Sequence, residues 1–191
     1  TDGTFWVWGY NNYGQLGLNN EIHYSSPVQL QGNWVIPDRD SYGSTIMTIL
    51  TKTDGSLWAW GRDYAGSHGD NSSDNNVSSP VQIPGTTWTT VSVNGYEALA
   101  KQSYTTPSYS VFLIGENHYG QLGHNDIAPR SSPVQLPGTE WEHIDWSRIH
   151  AVGTKTDGTL WSWGDNGYGS LGHNDRVSHS SPVQIPGTQW S

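Results

Sequence analysis

The chain has no cysteine. That excludes a disulfide framework and a thiolate metal site, and leaves stability to packing and hydrogen bonds. Basic residues are scarce too: eight Lys and Arg against 17 Asp and Glu, giving a formal net charge of −9. The basic residues are scattered, whereas binding a phosphate backbone or an anionic lipid surface needs a basic face. Neither nucleic acid nor a membrane surface is therefore an expected partner. No apolar run approaches 18 residues, so no helix is expected to insert in a membrane. No segment carries a capped 3.6-residue apolar period either, so little helix is expected.

What is abundant is aromatic and small: 11 Trp, 10 Tyr and 23 Gly among 191 residues, with 13% charged. Large aromatics suit a β core and glycine suits turns. This aromatic content argues against disorder despite the low charge.

These residues are arranged in a repeat. Thr159-Leu160-Trp161-Ser162-Trp163-Gly164 leads to Tyr168-Gly169-Ser170-Leu171-Gly172 and then Ser180-Ser181-Pro182-Val183-Gln184. Phe5-Trp6-Val7-Trp8-Gly9, Leu57-Trp58-Ala59-Trp60-Gly61 and Phe112-Leu113-Ile114-Gly115 open three further copies, the second with a degraded Tyr64-Ala65-Gly66-Ser67-His68-Gly69 loop. The recurring prolines Pro27, Pro80, Pro133 and Pro182 are 53, 53 and 49 residues apart. A period near 50 residues marks a propeller or a solenoid.

Within a copy, an Asp-Gly turn (Asp2-Gly3, Asp54-Gly55, Asp157-Gly158) precedes a strictly alternating strand. Trp6 and Trp8 share one face, with Phe5 and Val7 on the other; Trp58/Trp60 and Trp161/Trp163 repeat this. A strand apolar on both faces belongs between two sheets, so these six tryptophans are expected to be structural. Leu16, Leu122 and Leu171 are expected to plug the core, between glycines at unusual backbone angles. The Ser-Ser-Pro-Val-Gln segment reads as a short strand entered through its proline, which suits an edge or first-strand position. Two short strands follow around His143–Asp145 and His150–Lys155. Each unit thus offers about four strands, one propeller blade. The units run approximately 1–33 (a split blade), 34–87, 88–140 and 141–189, with 190–191 starting the next.

These residues resemble the regulator-of-chromosome-condensation repeat family. The resemblance spans the Asp157–Gly164 run, Asn166, Tyr168–Gly172, Pro182-Val183 and a following Trp, in four copies. It implies an all-β propeller of four-stranded blades. The family's usual ring has seven, so here the ring is expected to be partial, or completed by further chain or by self-association. The chain opens inside a repeat, as a processed product or the ordered part of something larger would. Family members include an exchange factor for a nuclear GTPase, secreted inhibitors of β-lactamase, ligase-associated propellers and bacterial and phage proteins.

No catalytic constellation or cofactor motif emerges. Gly123-His124-Asn125-Asp126 and Gly172-His173-Asn174-Asp175 could supply a metal ligand or a base, but they recur once per blade, which points to loop hydrogen bonding. Asp70-Asn71-Ser72-Ser73-Asp74-Asn75-Asn76 is oxygen-rich yet lacks the Gly and Glu of a calcium loop. The recurring serines sit in no nucleophile elbow. No metal site is expected.

Binding is the remaining chemistry. Tyr10, Asn12, Tyr13, Tyr64, Asn117, His118, Tyr119, Asn166 and Tyr168 fall just beyond strand ends, where loops of successive blades converge. Tyr104 and Tyr109 lie in a third-copy loop that replaces the Asp-Gly turn, and Arg39 in an insertion around Pro37–Asp40. Aromatic and amide side chains there suit protein or glycan recognition. The expected function is a non-enzymatic structural or recognition module, such as a virion or cell-surface component. The alternative is a regulator of a protein partner, by GTPase nucleotide exchange or enzyme inhibition.

Overall fold

The computed structural model describes residues 4–35, 46–103, 109–187 and 190, and the statements below concern those residues. They form thirteen strands: β1 (Phe5–Gly9), β2 (Tyr24–Leu30), β3 (Met47–Thr51), β4 (Leu57–Gly61), β5 (Val77–Ile83), β6 (Trp88–Asn94), β7 (Glu97–Ser103), β8 (Tyr109–Gly115), β9 (Arg130–Gln135), β10 (Trp141–Trp146), β11 (His150–Lys155), β12 (Leu160–Gly164) and β13 (His179–Ile185). No described residue is helical.

The strands pair antiparallel, in sequence order, into four sheets: β1-β2, β3-β4-β5, β6-β7-β8-β9 and β10-β11-β12-β13. A single antiparallel bridge joins Trp34 to Lys52, the residue after β3. The four sheets follow the four copies of the repeat; two have the four strands of a blade, and the first two copies show two and three strands among the described residues.

Each alternating strand ends in the same irregularity. The ladder slips at Val7/Gly9, Ala59/Gly61, Leu113/Gly115 and Ser162/Gly164. The bulge glycines have φ between +98° and +107°. A Cβ on Gly61, Gly115 or Gly164 would stand 2.5, 2.0 or 2.4 Å from the carbonyl oxygen of Ile46, Tyr96 or Ile149. Only glycine meets both demands, which is why the Trp-x-Trp strand closes on it.

Alternation then divides the side chains between two seams. Leu57 and Ala59 pack with Trp88, Val91 and Ile114 of the third blade. Trp58 and Trp60, on the other face of β4, pack with Phe5, Val7 and Leu30 of the first blade. A third cluster joins Leu99, Leu113 and Leu122 to Trp141, Ala151 and Trp163. The core is three apolar seams, one between each pair of neighbouring blades, as sheet-on-sheet packing requires.

This geometry corrects the expectation for Trp6 and Trp8. Trp60 and Trp163 are fully buried, but Trp6 and Trp8 are 48% and 59% exposed. Tryptophan of this strand faces the preceding blade, and no described sheet lies on that side of β1. The prolines differ from expectation as well: Pro27, Pro80, Pro133 and Pro182 stand inside β2, β5, β9 and β13, not at their entry. Each of these strands is the outer edge of its sheet, where a missing N–H costs no ladder bond. Leu16, Leu122 and Leu171 are buried as expected.

Candidate functional site

The long connections β1–β2, β4–β5, β8–β9 and β12–β13 leave the sheets at the same end as the β6–β7 and β10–β11 turns, because every hairpin is antiparallel. This loop end gathers most of the candidate residues.

Three of the four loops share one internal frame. Asn11, Asn117 and Asn166 are fully buried. Each accepts the N–H of its core leucine on Oδ1, at 2.9 Å in every copy. Each donates from Nδ2 to carbonyls of the returning chain: Asn20 and Ile22, Asp126 and Ala128, or Asp175. Asn117 and Asn166 are therefore not binding residues, because burial and internal bonding remove them from any partner. Asn12 is exposed, and its Nδ2 donates to Tyr10 Oη at 2.7 Å.

The loops also clamp the blades together. The N–H of Asn19, Asn71 and Asn125 donates to the carbonyl of Ser78, Ser131 and Ser180 on the next blade, at 2.7, 2.6 and 2.6 Å. The paired serines of the repeat are thus a seam, not nucleophiles. His124 Nε2 lies 3.2 Å from the carbonyls of Val134 and Gln135, and His173 Nε2 lies 3.0 Å from Ser162 Oγ. Both are loop hydrogen-bonding residues. Among the described residues no group of three His, Cys, Asp or Glu is placed to hold a metal.

On the outer surface of this end, aromatic rings form a continuous strip over three blades. Tyr10 stacks on His23 at 5.0 Å and meets Tyr13 edge-on at 6.5 Å. Arg62 lies over Tyr13 at 5.1 Å and over Tyr96 at 5.7 Å, and Tyr96 meets Tyr64 at 4.7 Å. Arg62 and Tyr96 were not among the sequence candidates. Tyr96 had a readable signal, since it follows the hairpin dipeptide Asn94-Gly95. Beyond Tyr64 the strip opens into a cavity of about 410 Å³ that also touches His118. Tyr119 and Tyr168 stand outside the strip, 45% and 91% exposed.

One candidate is separated from this end. Tyr109 begins β8 whereas the loop end follows Gly115, so Tyr109 belongs to the opposite end of the third blade. Tyr104 and Arg39 lie outside the described residues.

Under the strip lie buried charges. Burial of Glu97 pushes its carboxyl up to about 7; the Gln121 amide bond opposes this and neighbouring Glu116 adds to it. Glu97 Oε2 and Glu116 Oε2 are buried without a hydrogen-bond partner. His68 occupies the core-leucine position of the second loop. It is fully buried, neither ring nitrogen has a hydrogen bond of good geometry, and burial holds its pKa below the ordinary value against the pull of Asp63, Asp70 and the Arg62 backbone.

The description "Regulator of chromosome condensation (RCC1) repeat" matches residues 2–35, 110–151 and 157–189. The chain belongs to the RCC1 repeat family. Its sequence is 29% identical over 156 residues to the human "Probable E3 ubiquitin-protein ligase HERC3", covering 79% of this chain and 15% of that one. It is 28% identical over 168 residues to the Arabidopsis thaliana "Ultraviolet-B receptor UVR8", covering 85% of this chain and 37% of that one. Over 168 residues it is also 24% identical to the Caenorhabditis elegans "X-linked retinitis pigmentosa GTPase regulator homolog", covering 85% of this chain and 12% of that protein. Human WBSCR16 superposes with a TM-score of 0.71 at 23% identity, over 98% of this chain and 50% of that one. Prp20p of Saccharomyces cerevisiae does so with a TM-score of 0.70 at 15% identity, over 96% and 46%. The RCC1 fold seen here is a partial β-propeller, spanning about half of those solved chains.

Proposed function

We propose that this RCC1-repeat chain is a non-enzymatic recognition module that binds a protein partner through its loop end. The observation that carries the reading is the strip Tyr10–Tyr13–Arg62–Tyr96–Tyr64, continuous over three blades. Tyrosine and arginine dominate binding energy at protein interfaces, because they give large contact area and directed hydrogen bonds at small entropy cost. Clamped blades hold these rings rigidly, which lowers the ordering cost on association.

The second reading is regulation of a GTPase or of another enzyme. It is favoured by what the similar proteins are: a GTPase regulator homolog, ubiquitin ligases, and a yeast protein studied for its binding to Gsp1p and histones. Purified Gsp1p-type GTPase and core histones are the first probes, with a glycan array beside them. Binding should fall at least tenfold in Arg62→Ala and Tyr96→Ala and be unchanged in Thr156→Ala at the opposite end. Binding that ignores the first two variants, or binding of glycans alone, would overturn the reading.

A further inference from the structure

The second loop departs from the other three at several positions together. Asp63 replaces the buried asparagine, Ala65 the tyrosine and His68 the leucine, and the stretch from Asn71 to Pro80 is one residue longer than that from Asn125 to Pro133. The RCC1 repeat description matches no segment of this loop.

These changes are mechanically linked. A carboxylate cannot donate, so Asp63 cannot tie the returning carbonyls as Asn11, Asn117 and Asn166 do. It accepts instead, from Ser72 Oγ and the Asn75 N–H, both at 3.4 Å. The longer return turns through Asp74, with φ at +56°, and brings its Oδ1 to the Ala65 N–H at 3.4 Å. Ala65 itself is held at φ +54°, a conformation that alanine adopts only when its surroundings impose it.

The consequence is a gap. In the first loop Tyr13 reaches across the seam and covers Arg62 of the next blade. Ala65, at the same place in the second loop, is too short to reach across the following seam, which is bridged only in part, where Tyr64 meets Tyr96. The cavity of about 410 Å³ lies there, between Tyr64, Ala65, Ser73 and Asp74 on one side and His118 and Ser131 on the other. The residue corresponding to Arg62 is the buried Glu116 in the third blade, so this seam lacks the guanidinium that the previous one supplies for itself. Asp74 is exposed, and among the described residues the ion pair formed is Arg130–Asp126, with Arg130 between the lining residues Pro129 and Ser131 and already paired.

We propose that this cavity receives an arginine side chain of the partner protein, its guanidinium on the Asp74 carboxylate and beside the Tyr64 ring. The assignment rests on the reading of the loop end as a recognition face. The chain supplies its own template one blade earlier, where a guanidinium lies between Tyr13 and Tyr96. A carboxylate with an aromatic wall favours a planar, delocalised cation over an ammonium, and the serine hydroxyls of Ser73 and Ser131 can accept its remaining N–H groups. An anionic ligand would meet the Asp74 carboxylate.

The test uses the ¹⁵N-labelled chain titrated with N-acetylarginine amide, and in parallel with N-acetylcitrulline amide, which has the same shape without the charge. Saturable shifts are expected at the amides of Ala65, Ser73, Asp74 and Ser131, with citrulline at least tenfold weaker. Asp74→Asn should weaken the arginine probe about tenfold. Ala65→Tyr should abolish binding. Should Ala65→Tyr fail to fold, Asp74→Asn decides, since Asp74 is exposed and makes one long bond to the backbone. Equal shifts with citrulline, or arginine shifts undiminished in Asp74→Asn, overturn the proposal. An arginine titration that leaves these amides unmoved overturns it as well, even where a protein partner still depends on Arg62 and Tyr96, which would leave the recognition face standing.

Discussion

The indole N–H of Trp60 donates to the backbone carbonyl of Gln15, 2.8 Å away and 45 residues earlier in the chain. Trp163 does the same to Gln121 at 2.8 Å. Each bond ties a loop turn to the core tryptophan of the next blade, so the loop end and the apolar seam are one cooperative unit. Replacing Trp60 by Phe removes the donor while Thr48 Oγ1 still reaches the Gln15 carbonyl at 3.0 Å. We expect a loss of about 1–3 kcal/mol in urea unfolding. Trp8→Phe, at an exposed copy of the same position, should stay within about 0.5 kcal/mol. Equal effects at both sites would show that the seam is not what stabilises the blade.

A second pair of variants separates backbone strain from blade contact. Gly66 and Gly169 hold the same repeat position at φ +76° and +81°. A Cβ on Gly66 would stand 2.5 Å from Ser131 Cα, while at Gly169 the nearest atom is 3.9 Å away. Gly169→Ala should cost about 1–2 kcal/mol, the left-handed penalty alone. Gly66→Ala should cost roughly 1–3 kcal/mol more, since the third blade must move. Thermal unfolding of the two proteins reads the difference directly.

Glu97 makes stability depend on pH in a defined direction. Its folded pKa of about 7 lies above the ordinary 4.5, so the folded state favours the protonated form. That contribution is complete below pH 4.5 and is lost as pH rises through 7. Glu97→Gln keeps an acceptor for Gln121 and never ionises. It should match the wild type near pH 4 and exceed it at pH 8 by roughly 3 kcal/mol, at 1.36 kcal/mol for each pKa unit. Stability curves of the two proteins that stay parallel from pH 4 to 8 would contradict the burial of an ionising Glu97.

His68 acts with the opposite sign. Burial lowers its pKa from the ordinary 6.5, so the folded state favours the neutral ring and loses stability as pH falls below that value. His68→Leu restores the residue of the other three loops and removes two buried unpaired nitrogens. We expect a gain of about 1–3 kcal/mol that is larger at pH 5 than at pH 8. A loss on this substitution would mean that His68 has a partner that holds it in place.

Most of the framework could be read from local patterns. Two-residue alternation in Leu57–Trp60 announces a strand apolar on both faces, and Tyr-Gly-Gln-Leu-Gly announces a turn that buries one leucine. Asn117 and Asn166 were misread because an asparagine among polar loop residues carries no mark of burial. Only the carbonyls that the folded loop brings around Nδ2 reveal its role. Neither Tyr96 nor Arg62 recurs in the repeat, and ring contacts between blades have no local periodicity, so their place in the strip is not legible in the sequence beyond the hairpin turn before Tyr96.

By itself the sequence determined the repeat, the blade hydrogen-bond pattern and the positions that must be glycine, because these depend on φ, on side-chain alternation and on neighbours a few residues away. Tertiary structure alone decided which tryptophans are covered, which candidate residues reach the surface at one end, and where a cavity opens. Those properties are set at seams between blades, by the packing of one sheet's face on the next. A tryptophan written identically in two copies is therefore buried at Trp60 and exposed at Trp8.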